Sequence, residues 1–434
     1  MTRPSFTLLP RILALWQQAR SRPALWQTGF LTGIDGLTNL VDYGFHIYLA
    51  RALIPADFAV VQTLNTAVLI LVTAFAVLQP IVARYASEAA VNQHPADVQR
   101  SIFQFYFRRS LMVAIPLMLQ MGVARQPIAA WLNVPPFTIF VLAVILFLAI
   151  MRPVIAGQLQ GQGKFVSFGL TRFSNALSRL GIAVLLIGFL QGGLPSAVSA
   201  IPIGSIVALL VGLAALGRPI WRAAPPLPQQ FRRSGMLLLS TFLAFAAYMS
   251  LLNMDLIWVN RLFDPAVAGG YATAVLLRRV LALLPTAVIV IMYPRVVARV
   301  AQGQLPDKLL AQTATIVVLP TLLLTAVYAQ FGSFIIRWTF GSDYIDAAPL
   351  LLGMGVGMVG FGLTAVWLNV YLATRPLPFV ALLIVTAATQ FILFNQFHNS
   401  PTNILFTFAL SGWITAVGGF LLYVGWLRPG LNDF

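Results

Sequence analysis

The sequence predicts an all-α integral membrane protein of about 12 transmembrane helices. Three observations carry that reading. Hydrophobic residues fill 59% of the 434 positions and charged residues 9%, too few polar groups to cover a water-soluble body of this size. Apolar windows of about 20 residues, the length that crosses a bilayer as a helix, recur from Trp26 to the C-terminus. The cations crowd into every second gap between those windows.

With Pro, Gly and charge as punctuation, the first half holds spans at Trp26–Ala50, Phe58–Gln79, Ile102–Val123, Phe137–Ile155, Arg172–Leu190 and Pro195–Leu216. The second half holds Gly235–Val259, Val267–Met292, Leu309–Gln330, Ala347–Leu372, Leu377–Phe397 and Pro401–Leu427. Ahead of them, Phe6–Arg20 carries Leu9, Ile12, Leu13 and Trp16 on one stripe with Arg11, Arg20 and Arg22 beside it. That pattern predicts a cytoplasmic interfacial segment over residues 1–25, lying on the membrane face. No small-residue cleavage site follows it, so it does not read as a signal peptide.

Orientation follows from the positive-inside rule. One set of gaps holds 20 Lys and Arg residues, while the alternate set holds only Arg51, Arg125, Arg261 and Arg337. Both termini are expected in the cytoplasm, the chain crossing the membrane many times. The net charge of +16 then reads as a cytoplasmic collar, and no nucleic-acid partner is needed to explain it.

The longest Pro- and Arg-rich stretch, "GRPIWRAAPPLPQQFRR", falls at the midpoint. It divides the chain into an N-terminal bundle, 26–217, a cytoplasmic linker, 218–233, and a C-terminal bundle, 234–434. The halves echo each other. "RALIPADFAVVQTL" follows the first span and "RLFDPAVAGGYATAVLL" the seventh, each with Arg four residues before Pro. Spans two and eight exit as "QPIVAR" and "YPRVVAR", and spans three and nine each hold one proline, Pro116 and Pro320. Two parallel six-span repeats around a cavity are the layout of a secondary transporter.

Read together and in order, "YLARALIPADFAVVQTL", "LQPIVARYASEA", "LQGQGKFVSFG" and "IIRWTFGSDYIDAAPLLLGMGVG" resemble the polysaccharide transport (oligosaccharide flippase) family. That family belongs to the multidrug/oligosaccharidyl-lipid/polysaccharide exporter superfamily. The resemblance implies two six-helix bundles that alternate between inward- and outward-facing states. It also implies flipping of a polyprenyl-diphosphate-linked oligosaccharide from the cytoplasmic to the outer leaflet, for cell-surface polysaccharide biosynthesis. The expected partners are the lipid-linked oligosaccharide, membrane lipids, a proton or sodium gradient and glycan-assembly proteins. A multidrug or cation antiporter of the same superfamily is the alternative, and a glycan polymerase or ligase a more distant one.

Several residues are singled out by cost. Arg278 and Arg279 lie near the middle of span eight, where a cation costs roughly 2.5–3.5 kcal/mol on insertion scales. They read either as the binding site for a diphosphate or acidic sugar, whose oxygens suit the guanidinium fork, or as a structural salt bridge to a facing carboxylate. Asp35, Asn39, Asp42 and His46 share one face of span one. Asp35, Asn39 and Asp42 are the candidate coupling-ion residues, or partners that satisfy one another and the arginines. Asp255 in span seven is a second cavity acid, and Arg179 in span five a cation at the cytoplasmic mouth; both join the candidate substrate-binding set. Gly353, Gly355, Gly357, Gly360 and Gly362 in span ten predict close helix packing, or a flexible point.

Other chemistry is excluded or left without support. There is no cysteine and there are three histidines, so neither thiolate chemistry nor a His-rich metal site is expected. "GQLQGQGKF" fails as a phosphate loop, with Gln158 where glycine is required and Phe165 after Lys164. No cofactor is expected, no catalytic Ser/His/Asp arrangement appears, and the chain does not read as an enzyme.

Overall fold

A computed structural model of the chain describes residues 23–91, 96–231, 235–301, 304, 306–374 and 377–427, and every regular element among them is helical. The interfacial segment read over residues 1–25, with Phe6–Arg20, lies almost wholly outside the described residues, as do Arg232 and Arg233 of the linker. The helices are α1 Pro23–Ala52, α2 Pro55–Phe75, α3 Leu78–Val91, α4 Ala96–Val123, α5 Arg125–Leu132, α6 Pro136–Gly161 and α7 Phe165–Ala183. They continue with α8 Leu194–Leu216, α9 Gly235–Leu262, α10 Pro265–Ala301, α11 Asp307–Thr339, α12 Leu350–Ala373, α13 Leu377–Gln396 and α14 Pro401–Leu422. Among the described residues, eleven helices are long and apolar enough to cross a membrane. With 30 residues against 21 in α2, α1 is about 45 Å long, but its polar stripe lowers its hydropathy.

The matched Arg-x3-Pro motifs become matched joints. Pro55 opens α2 one turn after Arg51, and Pro265 opens α10 one turn after Arg261; proline at a helix start loses nothing, because that N–H has no intrahelical partner. The exit motifs diverge. Span two breaks at Ala76, where the chain turns and restarts as α3 at Leu78, whereas α10 runs unbroken for 37 residues through "YPRVVAR". A π turn, Val184–Phe189, extends α7, and α5 ends on Asn133 in the left-handed conformation at φ 55°.

Packing explains the glycines of α12. A β-carbon on Gly360 would sit 2.7 Å from the carbonyl carbon of Gly412 on α14, and one on Gly357 would sit 2.6 Å from the Phe408 ring. The two backbones therefore touch, and Thr364 uses the approach to reach the Thr415 hydroxyl at 2.7 Å. Such small-residue crossings replace a hydrophobic driving force that lipid does not supply.

Residues 218–231, within the expected linker, do not hang free. Gly217 turns at φ 80°, and the chain then lies across α4. Gln104 donates to the carbonyls of Ile220 (3.0 Å) and Arg222 (2.7 Å), Ser101 to Pro225 (2.7 Å) and Tyr106 to Phe231 (2.9 Å). Contact between the first six spans and the last six runs chiefly through α2, which packs on both α9 and α10. At the Arg51 end the seam is cross-bonded. Asn260 donates to the Leu132 carbonyl at 2.8 Å, and Tyr344 donates to Ala50 at 3.0 Å.

Candidate functional site

Two ion pairs tie α1 to α7. Arg172 meets Asp35 at 2.6 Å and Arg179 meets Asp42 at 2.7 Å. Both partners step by seven residues, two helical turns, so two helices running side by side hold the pairs in register about 10 Å apart. The Asp35, Arg172 and Asp42 side chains are 37%, 42% and 39% exposed. Charges so exposed at membrane depth cannot face hydrocarbon, so they border a polar, hydrated space. Arg179 is more enclosed and lies over the Phe45 ring at 4.3 Å.

Beside this ladder stands Arg152 of α6. It feels the charges of Arg179, Arg172 and Asp42, yet makes no ion pair or hydrogen bond of its own among the described residues. Arg152 and Arg172 line a cavity of about 200 Å³ among α2, α3, α6, α7 and α8, with Gln79 and Thr171 as its other polar walls and Val72 and Phe168 among its apolar ones. Three arginines thus surround two carboxylates, leaving one positive charge uncompensated. A separate groove of about 340 Å³ is apolar, lined by Phe75, Val77, Leu78 and Phe242.

The adjacent arginines of α10 part company. Arg278 is 2% exposed and Asp255 is wholly buried. Arg278 donates to both Asp255 oxygens at 2.5 and 3.1 Å and to the Leu252 carbonyl at 2.8 Å, and it lies over the Phe408 ring at 4.2 Å. Tyr271 donates to the same carboxylate at 2.8 Å. The pair is thus buried against protein and against each other. Arg279, about 100° further round the helix, points to the other half instead. It donates to Thr66 of α2 at 3.2 Å, and its Nε has no partner.

Around Arg279 the two halves share a polar interior. Tyr43 of α1 donates to the Leu276 carbonyl at 3.0 Å, and His46 bonds Gln62 at 2.9 Å. Gln62 Oε1, Thr63 Oγ1 and Arg179 Nε are buried without a partner. The stripe read on α1 therefore divides: Asp35 and Asp42 pair with α7, His46 is buried with α2, and Asn39 is exposed. No cluster of three or more His, Cys, Asp or Glu side chains that could hold a metal ion occurs among the described residues. Arg152 and Arg172 were not among the candidates read from the sequence. The signal for Arg172 was present, since 35/42 and 172/179 have equal spacing; nothing in sequence placed Arg152 beside them.

The whole-chain architecture is similar to that of several solved transporters. An inward-facing multidrug resistance MATE family transporter of the MOP superfamily superposes with a TM-score of 0.73 at 14% identity, covering 91% of this chain and 96% of that one. This is the MATE-transporter fold. The lipid II flippase MurJ, in an inward closed conformation, gives 0.68 at 13% identity over 91% of this chain and 87% of its own. The eukaryotic MATE transporter AtDTX14 gives 0.63 at 12% identity over 94% of this chain and 99% of its own. No protein-family model and no curated protein sequence matches the chain.

Proposed function

We propose that this protein is a flippase that moves a lipid carrying an anionic, diphosphate-linked oligosaccharide from the cytoplasmic to the outer leaflet. Residues 26–217 would rock against 234–434 by alternating access. One observation carries the reading: unpaired Arg152 beside the Arg172–Asp35 and Arg179–Asp42 pairs, in a hydrated interior with an excess of positive charge. An anionic headgroup meets a ready-made counter-charge there, and guanidinium forks suit phosphate oxygens. Asp35 and Asp42 act as resident counter-anions that hold the arginines until a phosphate replaces them. Arg279 supplies the C-terminal bundle's contact, and Arg278 with Asp255 serves as the fixed core behind it. The neighbouring apolar groove is suited to an acyl or polyprenyl chain.

The fold alone serves multidrug export equally well, and the apolar groove lined by Phe75 and Phe242 favours that second reading. The two differ in charge preference, because uncompensated arginines repel a cationic drug. Flipping of a fluorescent lipid-diphosphate sugar in proteoliposomes tests the proposal. Transport by the wild type that is lost in Arg152→Gln and Arg172→Gln, with folding intact, supports it. Efflux of cationic dyes with no movement of any lipid-diphosphate sugar in a panel would replace it with the multidrug reading.

A further inference from the structure

On the cation-poor side of the membrane, two of the four arginines converge. Arg51 at the end of α1 and Arg337 at the end of α11 line one cleft of about 880 Å³, with Ile47, Phe334, Trp338 and Thr339. Phe334 and Trp338 are 69% and 72% exposed, the placement of aromatic side chains at a headgroup boundary. Arg337 makes no hydrogen bond or ion pair among the described residues. No carboxylate lines the cleft; Asp343 and Asp346 lie on the turn beyond it.

Arg51 is engaged, but only by neutral acceptors. Its Nε donates to the Thr339 carbonyl at 2.8 Å and its Nη2 to the Trp338 carbonyl. It thereby caps the C-terminal end of α11, whose last carbonyls lack intrahelical partners. Because α1 and α11 belong to opposite halves of the chain, this cap is also a clasp across the seam, next to the bond from Tyr344 to Ala50. A phosphate would form charge-assisted bonds about twice as strong as those to neutral carbonyls.

We propose that this cleft binds the phosphate of an anionic phospholipid through Arg51 and Arg337, and that its arrival draws Arg51 off the α11 carbonyls and loosens the seam. The site is separate from the Arg152 cavity, and the proposal does not depend on what the protein transports.

The chain has no cysteine, so a single Ala50→Cys change places a reporter at the seam. Ala50 is 3% exposed, and the substitution keeps the backbone carbonyl that Tyr344 uses. The full-length protein is placed in nanodiscs of phosphatidylglycerol or of phosphatidylcholine and treated with a membrane-impermeant maleimide. Labelling is expected to be at least about fivefold faster in phosphatidylglycerol, the low end of coupling between sites. Arg337→Gln should abolish that difference without changing the phosphatidylcholine rate, and Arg337→Lys should restore part of it. Arg51→Gln, lacking the clasp, should label fast in both lipids. Equal wild-type rates in the two lipids, or a lipid effect that survives Arg337→Gln, would overturn the binding site. Slow labelling of Arg51→Gln in both lipids would overturn the clasp.

Discussion

Arg278 of α10 and Asp255 of α9 form a sealed pair, 2.5 Å apart at the nearest oxygen, with side chains 2% and 0% exposed. Neither charge has access to solvent, and each is the other's principal compensation. Deleting one partner of a buried pair strands the other charge and costs about 3–5 kcal/mol, whereas replacing both by apolar groups is often neutral. Asp255→Ala should therefore fold poorly or melt far below the wild type in detergent. The double change Asp255→Leu with Arg278→Met should recover most of the lost stability and retain transport. A stable but inactive double variant would show that the pair contributes more than packing.

Arg152 should behave in the opposite way. It has no counter-ion to strand, so Arg152→Gln removes an uncompensated charge and should leave the melting temperature at or above that of the wild type. If the cavity reads an anionic headgroup, the same change should lower flipping at least about tenfold, the loss of one charge-assisted hydrogen bond. Calorimetry and the proteoliposome assay on one preparation check both halves of the expectation.

Asp42→Asn separates the counter-anion role from ion coupling. Freed from Asp42, Arg179 should bind inorganic pyrophosphate more tightly, by about tenfold on the same scale, as read by titration calorimetry. A role for Asp35 or Asp42 in proton or sodium coupling predicts instead that the Asn variants change the ion dependence of flipping. Wild-type rates with unchanged ion dependence in both variants would remove coupling from these residues.

Gly360→Val should destabilise the C-terminal helices by about 1–3 kcal/mol, the usual range for overpacking. Even the β-carbon would meet the Gly412 carbonyl carbon at 2.7 Å, and backbone atoms cannot swing aside as a side-chain tip can. Gly181, whose β-carbon would meet nothing within 4 Å, should accept alanine with little change in the melting curve.

How much of this was legible in sequence depends on the range of the force involved. The helical membrane class and the number of long helices were legible, because lipid forces each span to satisfy its own backbone within one run of apolar residues. The starts of α2 and α10 were legible too, since Pro55 and Pro265 act locally. The limits of α10 and α11 were not. Each extends about nine residues past the expected span, to Ala301 and Thr339, since a helix can continue into polar surroundings after its apolar run has ended.

The candidate site divides along the same line. The sequence by itself determined that Arg278, Arg279, Asp35, Asp42 and Asp255 need partners, because an isolated charge at membrane depth is costly wherever it falls. Only the tertiary structure decided who the partners are. Arg278 and Arg279 are neighbours in the chain and indistinguishable by composition, yet the 100° between them on a helix sends one into Asp255 and the other toward Thr66. The joining of Arg152 to the Arg172–Asp35 and Arg179–Asp42 ladder likewise rests on how α6 packs with α7, a long-range choice that the local sequence of neither helix records.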